Sequence, residues 1–476
     1  MRNLFHFSPT PRILLFFIAI VIKLAAATLS AIGFVLDSPV LMITGVFVWL
    51  VWFAALLLIA VPKADQFLKN QMRWLKPTAL VIFIVLVLIG ASLFVVVSVV
   101  DSEPAQIDQA DGDTEQVLTS FDRIFAYNDA TALCHQATNN LLDGENPYAE
   151  ANVVTAMIEF NGSIDKLTPL REGSFAEVFP YPDMAQMEQL WQEAIETPEV
   201  IPVELESKLG YPAGSFLLPA PFVLMGISDL RIIFLILVLP ALAYIIWRAP
   251  RDLRLLLAGA LIISLELWNA LAAGETGFIY FPLLLLAWVL PRKHLWLSAL
   301  FMGLAVATKQ VAWFFVPFYL ILIFRTESLK SLIKVAAIIA GVFLVTNAPF
   351  IAMDPGLWLT SIMAPTTDNL FPLGVGIVSV VSGGFVDIQS PLIFTILEAL
   401  VAVLAVIWYF FNCRRYPYAG PILAVLPLFF AWRSLWAYFF YVDIIVLAAI
   451  LINEYGAEPA ALIPPGSKKV ETQTHV

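Results

Sequence analysis

Long, uninterrupted apolar stretches constrain this chain more than any other feature of its sequence. Residues 12–36, 39–62 and 77–100 each exceed the ~18–20 apolar residues that an α-helix needs to cross a bilayer. These runs lack the alternation of a barrel strand, so helices are the expected spans. Hydrophobic residues make up 60% of the 476-residue chain. We therefore predict an all-α polytopic membrane protein that passes several times through the cell membrane.

Further apolar runs after residue 211 extend this prediction to a bundle of roughly 11–13 transmembrane helices. These runs lie near 230–247, 255–272, 277–291, 295–308, 311–325, 335–352, 391–412, 419–432 and 435–453. Cytoplasmic loops are enriched in Lys and Arg, which places the N-terminus, the basic connector 63–76 and the tail 456–476 in the cytoplasm. A full crossing by 211–226 would put the cluster Arg248–Arg254 outside. Either 211–226 is a short or re-entrant helix, or that cluster breaks the charge rule.

An acidic loop, residues 101–210, separates three N-terminal transmembrane helices (1–100) from a C-terminal transmembrane bundle (211–455). The loop holds 22 of the 37 acidic residues and only 4 of the 26 basic residues. The charge rule makes it extracytoplasmic. A polar segment next to the end of a membrane helix is typical of a catalytic or binding site, so we assign the catalytic segment to this loop.

The second part of the loop, residues 149–210, is predicted to cap the site. Apolar residues at helical spacing over 182–197 indicate an amphipathic helix that buries Met187, Leu190 and Trp191. The insertion has few apolar residues for its length, and a segment of ~60 residues without staples is marginal by itself. It is therefore expected to depend on the membrane domain for its fold.

Two outward-facing cations accompany the acidic loop. Lys309, followed by Gln310, lies at a tip between two short apolar runs, and Arg433 lies in a later apolar stretch. Arg grips a phosphate with two hydrogen bonds and Lys acts as a point charge, so both suit the phosphate of a lipid carrier. The alternative is that both snorkel to the interface or pair with acids of the loop.

Four ionisable side chains fall inside apolar runs: Lys23, Glu266, Glu398 and Asp443. Charges within a membrane are costly and tend to be functional. The alternative for each acid is a structural partner such as Lys23, and for Lys23 it is a helix partner or snorkelling to the interface.

Several function classes are disfavoured. The chain has no GxxxxGK(S/T) loop and no GxGxxG that opens a helix after a strand. Its four His are scattered, and Cys134 and Cys413 are expected on opposite sides, so neither a zinc site nor a disulfide framework is predicted. It also lacks a basic patch with interleaved aromatics for nucleic acid. An ATP-driven, zinc-dependent or nucleic-acid-binding protein is therefore not expected.

Three motifs resemble a known family. Asp129, followed by Gly144-Glu-Asn-Pro-Tyr148, resembles the "D…GxxPY" signature in the first outer loop of GT-C-fold glycosyltransferases. Tyr211-Pro212, followed by Pro219 and Pro221, resembles their "YPP" helix, with Ala213 in place of the second Pro. The segment 303–309, GLAVATK, resembles their "G-hairpin-K" segment. The order and spacing are most similar to the polyprenol-phosphate-mannose-dependent mannosyltransferases of glycosyltransferase family 87.

The resemblance implies a GT-C-like bundle and an inverting transfer of a sugar, a hexose such as mannose, from a polyprenyl-phosphate donor to a glycan, lipid or protein acceptor. Asp129 is then the general base, and Lys309 and Arg433 stabilise the departing phosphate. Asp122 lies seven residues before Asp129. On a continuous helix both would share one face, where Asp122 would position the acceptor or a divalent metal. No further cofactor is expected.

Three residues, Gln310, Tyr148 and Tyr211, complete the predicted substrate-binding set. The expected partners are the lipid-linked sugar, the acceptor and membrane lipids. Two alternatives stay open: a lipid or small-solute transporter whose acidic loop is a lid, and a catalytically inactive GT-C relative. A transporter would show internal repeats with matching broken helices, and no such repeat is visible between the two halves.

Overall fold

The protein is a bundle of α-helices. The computed structural model describes residues 9–102, 126–290 and 294–455, with the backbone alone over 93–102. Within these ranges, the only strands are β1 (Leu373–Gly374) and β2 (Arg433–Ser434), which pair in parallel. The predicted all-α membrane fold is confirmed.

The helices differ widely in length. They are α1 (Pro11–Val35), α2 (Pro39–Ala60), α3 (Ala64–Phe67), α4 (Met72–Ser102), α5 (Asp129–Leu142), α6 (Val153–Glu159), α7 (Met184–Glu196), α8 (Gly214–Leu217), α9 (Ala220–Leu224), α10 (Leu230–Arg248), α11 (Arg254–Ile262), α12 (Leu265–Ala272), α13 (Gly277–Val289), α14 (Leu295–Val306), α15 (Phe315–Thr326), α16 (Leu329–Met353), α17 (Pro355–Thr367), α18 (Ser379–Ser382), α19 (Leu392–Asn412), α20 (Gly420–Val425) and α21 (Val442–Asn453). Short 3-10 helices cover Lys69–Gln71, Ile164–Lys166, Gly173–Phe175, Gln310–Phe314, Pro417–Ala419, Leu426–Phe430 and Trp436–Tyr438.

Seven helical segments of the described ranges are long and apolar enough to cross a membrane. They are Pro11–Val35, Pro39–Ala60, Lys69–Ser92, Leu230–Arg248, Leu329–Met353, Leu392–Asn412 and Trp436–Asn453. The pair α11 and α12, bent by 52°, makes an eighth if it counts as one span. Five shorter apolar helices accompany them, and the expected 11–13 crossings are reached only if these shorter helices also cross.

One of the shorter helices is the segment whose topology the sequence left open. Residues 214–224 form α8 and α9, two brief helices on either side of Leu218 and Pro219, rather than a full span. The structure therefore agrees with the short or re-entrant alternative for 211–226.

The first two helices pack closely because small residues line their contact. A Cβ on Gly45 would lie 2.6 Å from Ser30 Oγ, and a Cβ on Gly33 would lie 2.8 Å from Met42 Cγ. Small residues let membrane helices approach this closely. The turn between them passes through Asp37, whose φ is 44°.

The intramembrane charges pair inside the bundle. Lys23 Nζ lies 2.8 Å from Asp443 Oδ2 and 3.6 Å from Glu266 Oε2, and all three side chains are buried. The pairing joins α1, α12 and α21. It gives Lys23, Glu266 and Asp443 the structural partners that were the alternative to a functional role. Glu398 does not belong to this cluster.

The described part of the outer loop, 126–210, packs onto the bundle. Met157, Met187 and Leu190 belong to the same hydrophobic core as the membrane helices. The backbone N–H of Arg171 donates to the carbonyl of Asn369 at 2.7 Å, which ties the insertion to the segment that leads into β1. The amphipathic helix is α7, with Met187 and Leu190 buried and Trp191 partly buried.

Candidate functional site

A cavity of about 1150 Å³ lies between the outer loop and the bundle. Its walls include the insertion 149–210, the start of α5, the 273–276 turn and both strands. The predicted site residues that line it are Asp129, Tyr211, Lys309, Gln310 and Arg433. The insertion contributes Lys166, Thr168, Arg171, Tyr181, Glu206 and Lys208, as its predicted role of a cap requires.

Asp129 is the first residue of α5. Asn128 caps the helix in an extended conformation, with its side-chain oxygen accepting from the N–H of Thr131 at 2.8 Å. Asp129 Oδ1 accepts from the N–H of Ala130 at 2.6 Å, and Thr168 donates further hydrogen bonds to the carboxylate. Burial raises the pKa of Asp129, while these bonds and the charge of Arg433 oppose the rise. A buried, fixed carboxylate of this kind suits a general base.

Lys309 lies in the turn that follows α14. Its backbone is extended, and its Nζ donates to Thr276 Oγ1 at 2.5 Å and lies 4.6 Å from the centre of the Tyr211 ring. Burial lowers the pKa of Lys309, and the carboxylate of Glu275 opposes this most strongly. Gly214 sets the position of the turn, because a Cβ there would lie 2.5 Å from the carbonyl oxygen of Ala307.

Arg433 is held by the parallel strand pair, in register with Leu373. Its Nη1 is buried and has no hydrogen-bond partner within the described ranges. Arg433 also acts electrostatically on Asp129 and Tyr181. The guanidinium therefore has donor capacity left for an anionic ligand.

Glu275 is a site residue that the sequence reasoning missed. It follows Gly274, whose φ of +69° makes the turn, and Thr131 Oγ1 donates to the carbonyl of Gly274. Asn128 donates to the Glu275 carboxylate, so the turn is fixed against the start of α5. Burial raises the pKa of Glu275, and Lys309 is the strongest opposing influence. The signal was the motif Gly-Glu-Thr between two apolar runs.

Two other predicted residues have supporting positions. Gln310 Nε2 donates to the carbonyls of Gly210 at 2.6 Å and Ile362 at 3.0 Å, so its amide group fixes the wall. Tyr148 is buried and is not among the lining residues; its hydroxyl donates to the carbonyl of Tyr211 at 2.9 Å. It supports the cavity from behind.

Asp122 lies outside the described residues. A shared helix face with Asp129 is expected only on a continuous helix, and the helix of Asp129 does not continue into residues 126–128. The helix begins at Asp129, because Asn128 has a ψ of 164° and caps it. Residues 126–128 are not helical. Within the described ranges, no group of three or more His, Cys, Asp or Glu is arranged to hold a metal ion.

A second charged group lies at the cavity wall formed by the insertion. Lys208 Nζ lies 2.6 Å from Asp368 Oδ2. Burial raises the pKa of the neighbouring Glu206 to about 8, and a hydrogen bond with Asp368 adds to the rise. Two carboxyl groups this close hold a shared proton more readily than two charges.

Fold and site together define the class: a multi-pass, all-α membrane protein with a large cavity whose wall contains acidic and cationic side chains. Comparisons of the chain with protein-family models, with curated proteins and with solved structures found no match. The function is therefore argued from the residues of the cavity.

Proposed function

We propose that the protein is an integral-membrane glycosyltransferase. It would transfer a sugar, a hexose such as mannose, from a polyprenyl-phosphate donor to a glycan, lipid or protein acceptor outside the cytoplasm. The observation that supports this most is that Asp129, Lys309 and Arg433 line one cavity. Transfer from a lipid phosphate needs a base and anion-binding groups in reach of one substrate.

The reaction would be a single displacement with inversion. Asp129 takes the proton of the acceptor hydroxyl as that oxygen forms a bond to the anomeric carbon. The bond between the anomeric carbon and the phosphate oxygen breaks, and the phosphate leaves with the electron pair. Lys309 and the free Nη1 of Arg433 would bind this phosphate, where charge develops.

The membrane helices also contribute to the cavity, which supports a lipid-linked donor. Ala27 and Phe34 of α1 and Thr395 of α19 line it, and Phe34 and Thr395 are exposed. An apolar surface from α1 next to charged groups suits a molecule that combines a prenyl chain with a phosphate.

The decisive variant is Asp129→Asn, which keeps the shape and removes the base. We expect sugar transfer from polyprenyl-phosphate mannose in isolated membranes to fall by roughly 10²–10⁴-fold. Asp143→Asn is the matched control, because Asp143 ends the same helix, is exposed and lies outside the cavity. Unchanged transfer by an inserted Asp129→Asn protein would exclude Asp129 as the base.

A further inference from the structure

Glu398 is a cavity carboxylate that the proposed transfer does not use. It lies in α19, about 10 Å along the axis from the first residue at a rise of ~1.5 Å per residue. Pro391, Thr395 and Glu398 follow one another at spacings of four and three residues, so they share a face. All three line the cavity. A membrane-spanning helix thus presents a carboxylate to the space where substrate would bind.

Glu398 has no protein cation to balance it. Within the described ranges it makes no hydrogen bond and no ion pair. The cavity cations have other contacts: Lys208 pairs with Asp368, Lys166 donates to the carbonyl of Ala126, Arg171 donates to the carbonyl of Gln389, Lys309 is held near Glu275, and Arg433 acts on Asp129. A carboxylate in a span is costly without a partner. A positively charged ligand would supply such a partner.

Aromatic rings line the same cavity as this carboxylate. One turn before Glu398, Phe394 packs on Trp432 with ring centres 5.3 Å apart. Trp432, Trp436 and Tyr438 line the cavity. Aromatic faces next to a carboxylate are the usual means of binding an ammonium group. A sugar hydroxyl could bond to Glu398, but only a cation would also neutralise it.

Tyr438 connects this region with the phosphate-binding side. It lies within electrostatic range of both Arg433 and Glu398. Tyr438 therefore links the two charged groups, and one ligand could place a phosphate at Arg433 and a positive group at Glu398. This geometry fits a zwitterionic ligand that carries a phosphate and an ammonium.

We propose that Glu398 and the aromatic rings of the cavity bind a primary ammonium group of the substrate. The ammonium belongs either to an amino sugar on the donor phosphate or to the headgroup of an aminated phospholipid acceptor. This inference deepens the proposed function and rests on it for the role of the ligand, but its test measures binding alone.

The experiment uses the full-length protein in nanodiscs of phosphatidylglycerol, which carries no amine. Binding of two probe pairs is measured by calorimetry: glucosamine 1-phosphate against N-acetylglucosamine 1-phosphate, and dihexanoyl phosphatidylethanolamine against its N-acetyl derivative. We expect one amine probe to bind roughly tenfold or more tightly than its acetylated twin. The pair that shows the preference identifies the source of the ammonium.

Variants assign the preference to Glu398. It should disappear in Glu398→Gln and persist in Asp387→Asn, whose carboxylate is exposed and lies outside the cavity. If Glu398→Gln does not fold, Thr395→Lys provides a cation one turn away on the same face and should also abolish the preference. No preference in the unmodified protein, or a preference that survives both variants, would overturn the proposal.

The outcome of the binding test is independent of the outcome of the transfer test. Asp129→Asn should lose transfer and keep the ammonium preference, because Asp129 is not part of this subsite. A preference without transfer would leave the subsite standing and remove the glycosyltransferase proposal. Transfer without a preference would leave the glycosyltransferase proposal standing and remove the ammonium subsite.

Discussion

At the scale of single residues, the cavity depends on carboxyl groups whose pKa is raised by burial. Burial raises the pKa of both Asp129 and Glu275, and it lowers the pKa of Lys309. Each group therefore relies on the charge of its neighbours to remain ionised. Removing one member should change the titration of the others.

Glu275→Gln tests this dependence. The Glu275 carboxylate opposes the effect of burial on Lys309. Without this carboxylate, the pKa of Lys309 should fall further. The alkaline limb of the pH–rate profile for sugar transfer should then move to lower pH. Glu145→Gln, an exposed acid after α5, is the control. A uniform loss of rate with an unmoved profile would mean that Glu275 only shapes the turn.

Glu206 gives a prediction about stability. Its folded pKa of about 8 lies above its ordinary value, so the folded protein holds a proton that the unfolded chain releases. This stabilisation is complete below about pH 4.5 and is lost as pH rises through about 8. The melting temperature should therefore fall by a few degrees between pH 6 and pH 9.

Replacing Glu206 should flatten that dependence. Glu206→Gln keeps a hydrogen-bonding group beside Asp368 and Lys208 but cannot titrate, whereas Glu199→Gln changes an exposed acid of the same insertion. Melting curves of both variants at the two pH values provide the measurement. Equal slopes for both would show that Glu206 is not the titrating group.

The residue types, rather than the contacts, made much of the site predictable. Lys309 and Arg433 stand out because each is a charge beside apolar sequence, and Asp129 stands out because it begins a motif in the acidic loop. Glu275 was missed because its role depends on Asn128 and Lys309, which are distant along the chain. For Tyr148, the motif could not show that its hydroxyl faces the backbone of Tyr211.

At the scale of elements, short structures hold the cations. The two-residue strands β1 and β2 fix Arg433, and their close approach depends on Gly374, whose φ is 140°. The apolar periodicity predicted the long helices well, because their length follows from the bilayer. It could not predict a strand pair of two residues or the bend between α11 and α12, because neither leaves a periodic pattern.

Gly374→Ala should therefore displace Arg433. A Cβ at this position would lie 2.1 Å from the carbonyl oxygen of Ser434, a backbone atom that cannot move alone. We expect sugar transfer to fall at least tenfold, because Arg433 would move away from its position in the cavity wall. Gly384→Ala is the matched control: its φ is also positive, at +72°, but a Cβ there meets nothing within 4 Å.

Together the two variants distinguish backbone strain from the clash. Strain at positive φ costs roughly 1–3 kcal/mol, and melting curves should show it in both proteins. Only Gly374→Ala should lose activity beyond its loss of stability. If the two variants lose activity equally, the strand pair does not position Arg433.

At the scale of the whole molecule, the two ends of α1 lie in two different regions of the protein. Arg12, at its start, lies 2.8 Å from Asp65 of the connector and 2.6 Å from Glu454 after the last helix. Ala27 and Phe34, near its end, line the cavity. With 25 residues, α1 is ~37 Å long, enough to cross a bilayer. The cavity therefore lies at the opposite end of α1 from the connector and the end of α21.

This arrangement, combined with the charge rule, predicts that the cavity opens outside the cytoplasm. The connector carries four basic residues at 63, 69, 73 and 76, which favour the cytoplasmic side. Lys69 and Glu145 are both exposed, and the predicted topology places them on opposite sides. Lys69→Cys and Glu145→Cys are suitable labelling sites, because the natural Cys134 and Cys413 are buried.

In intact cells, a membrane-impermeant maleimide should label Glu145→Cys and leave Lys69→Cys unmodified. After permeabilisation, both should be labelled, which shows that each thiol is accessible. The unmodified protein serves as the background for Cys134 and Cys413. Labelling of Lys69→Cys alone in intact cells would invert the topology, and the cavity would then face the cytoplasm. A donor presented at the outer leaflet could not reach Asp129 in that orientation, so the result would also contradict the proposed reaction.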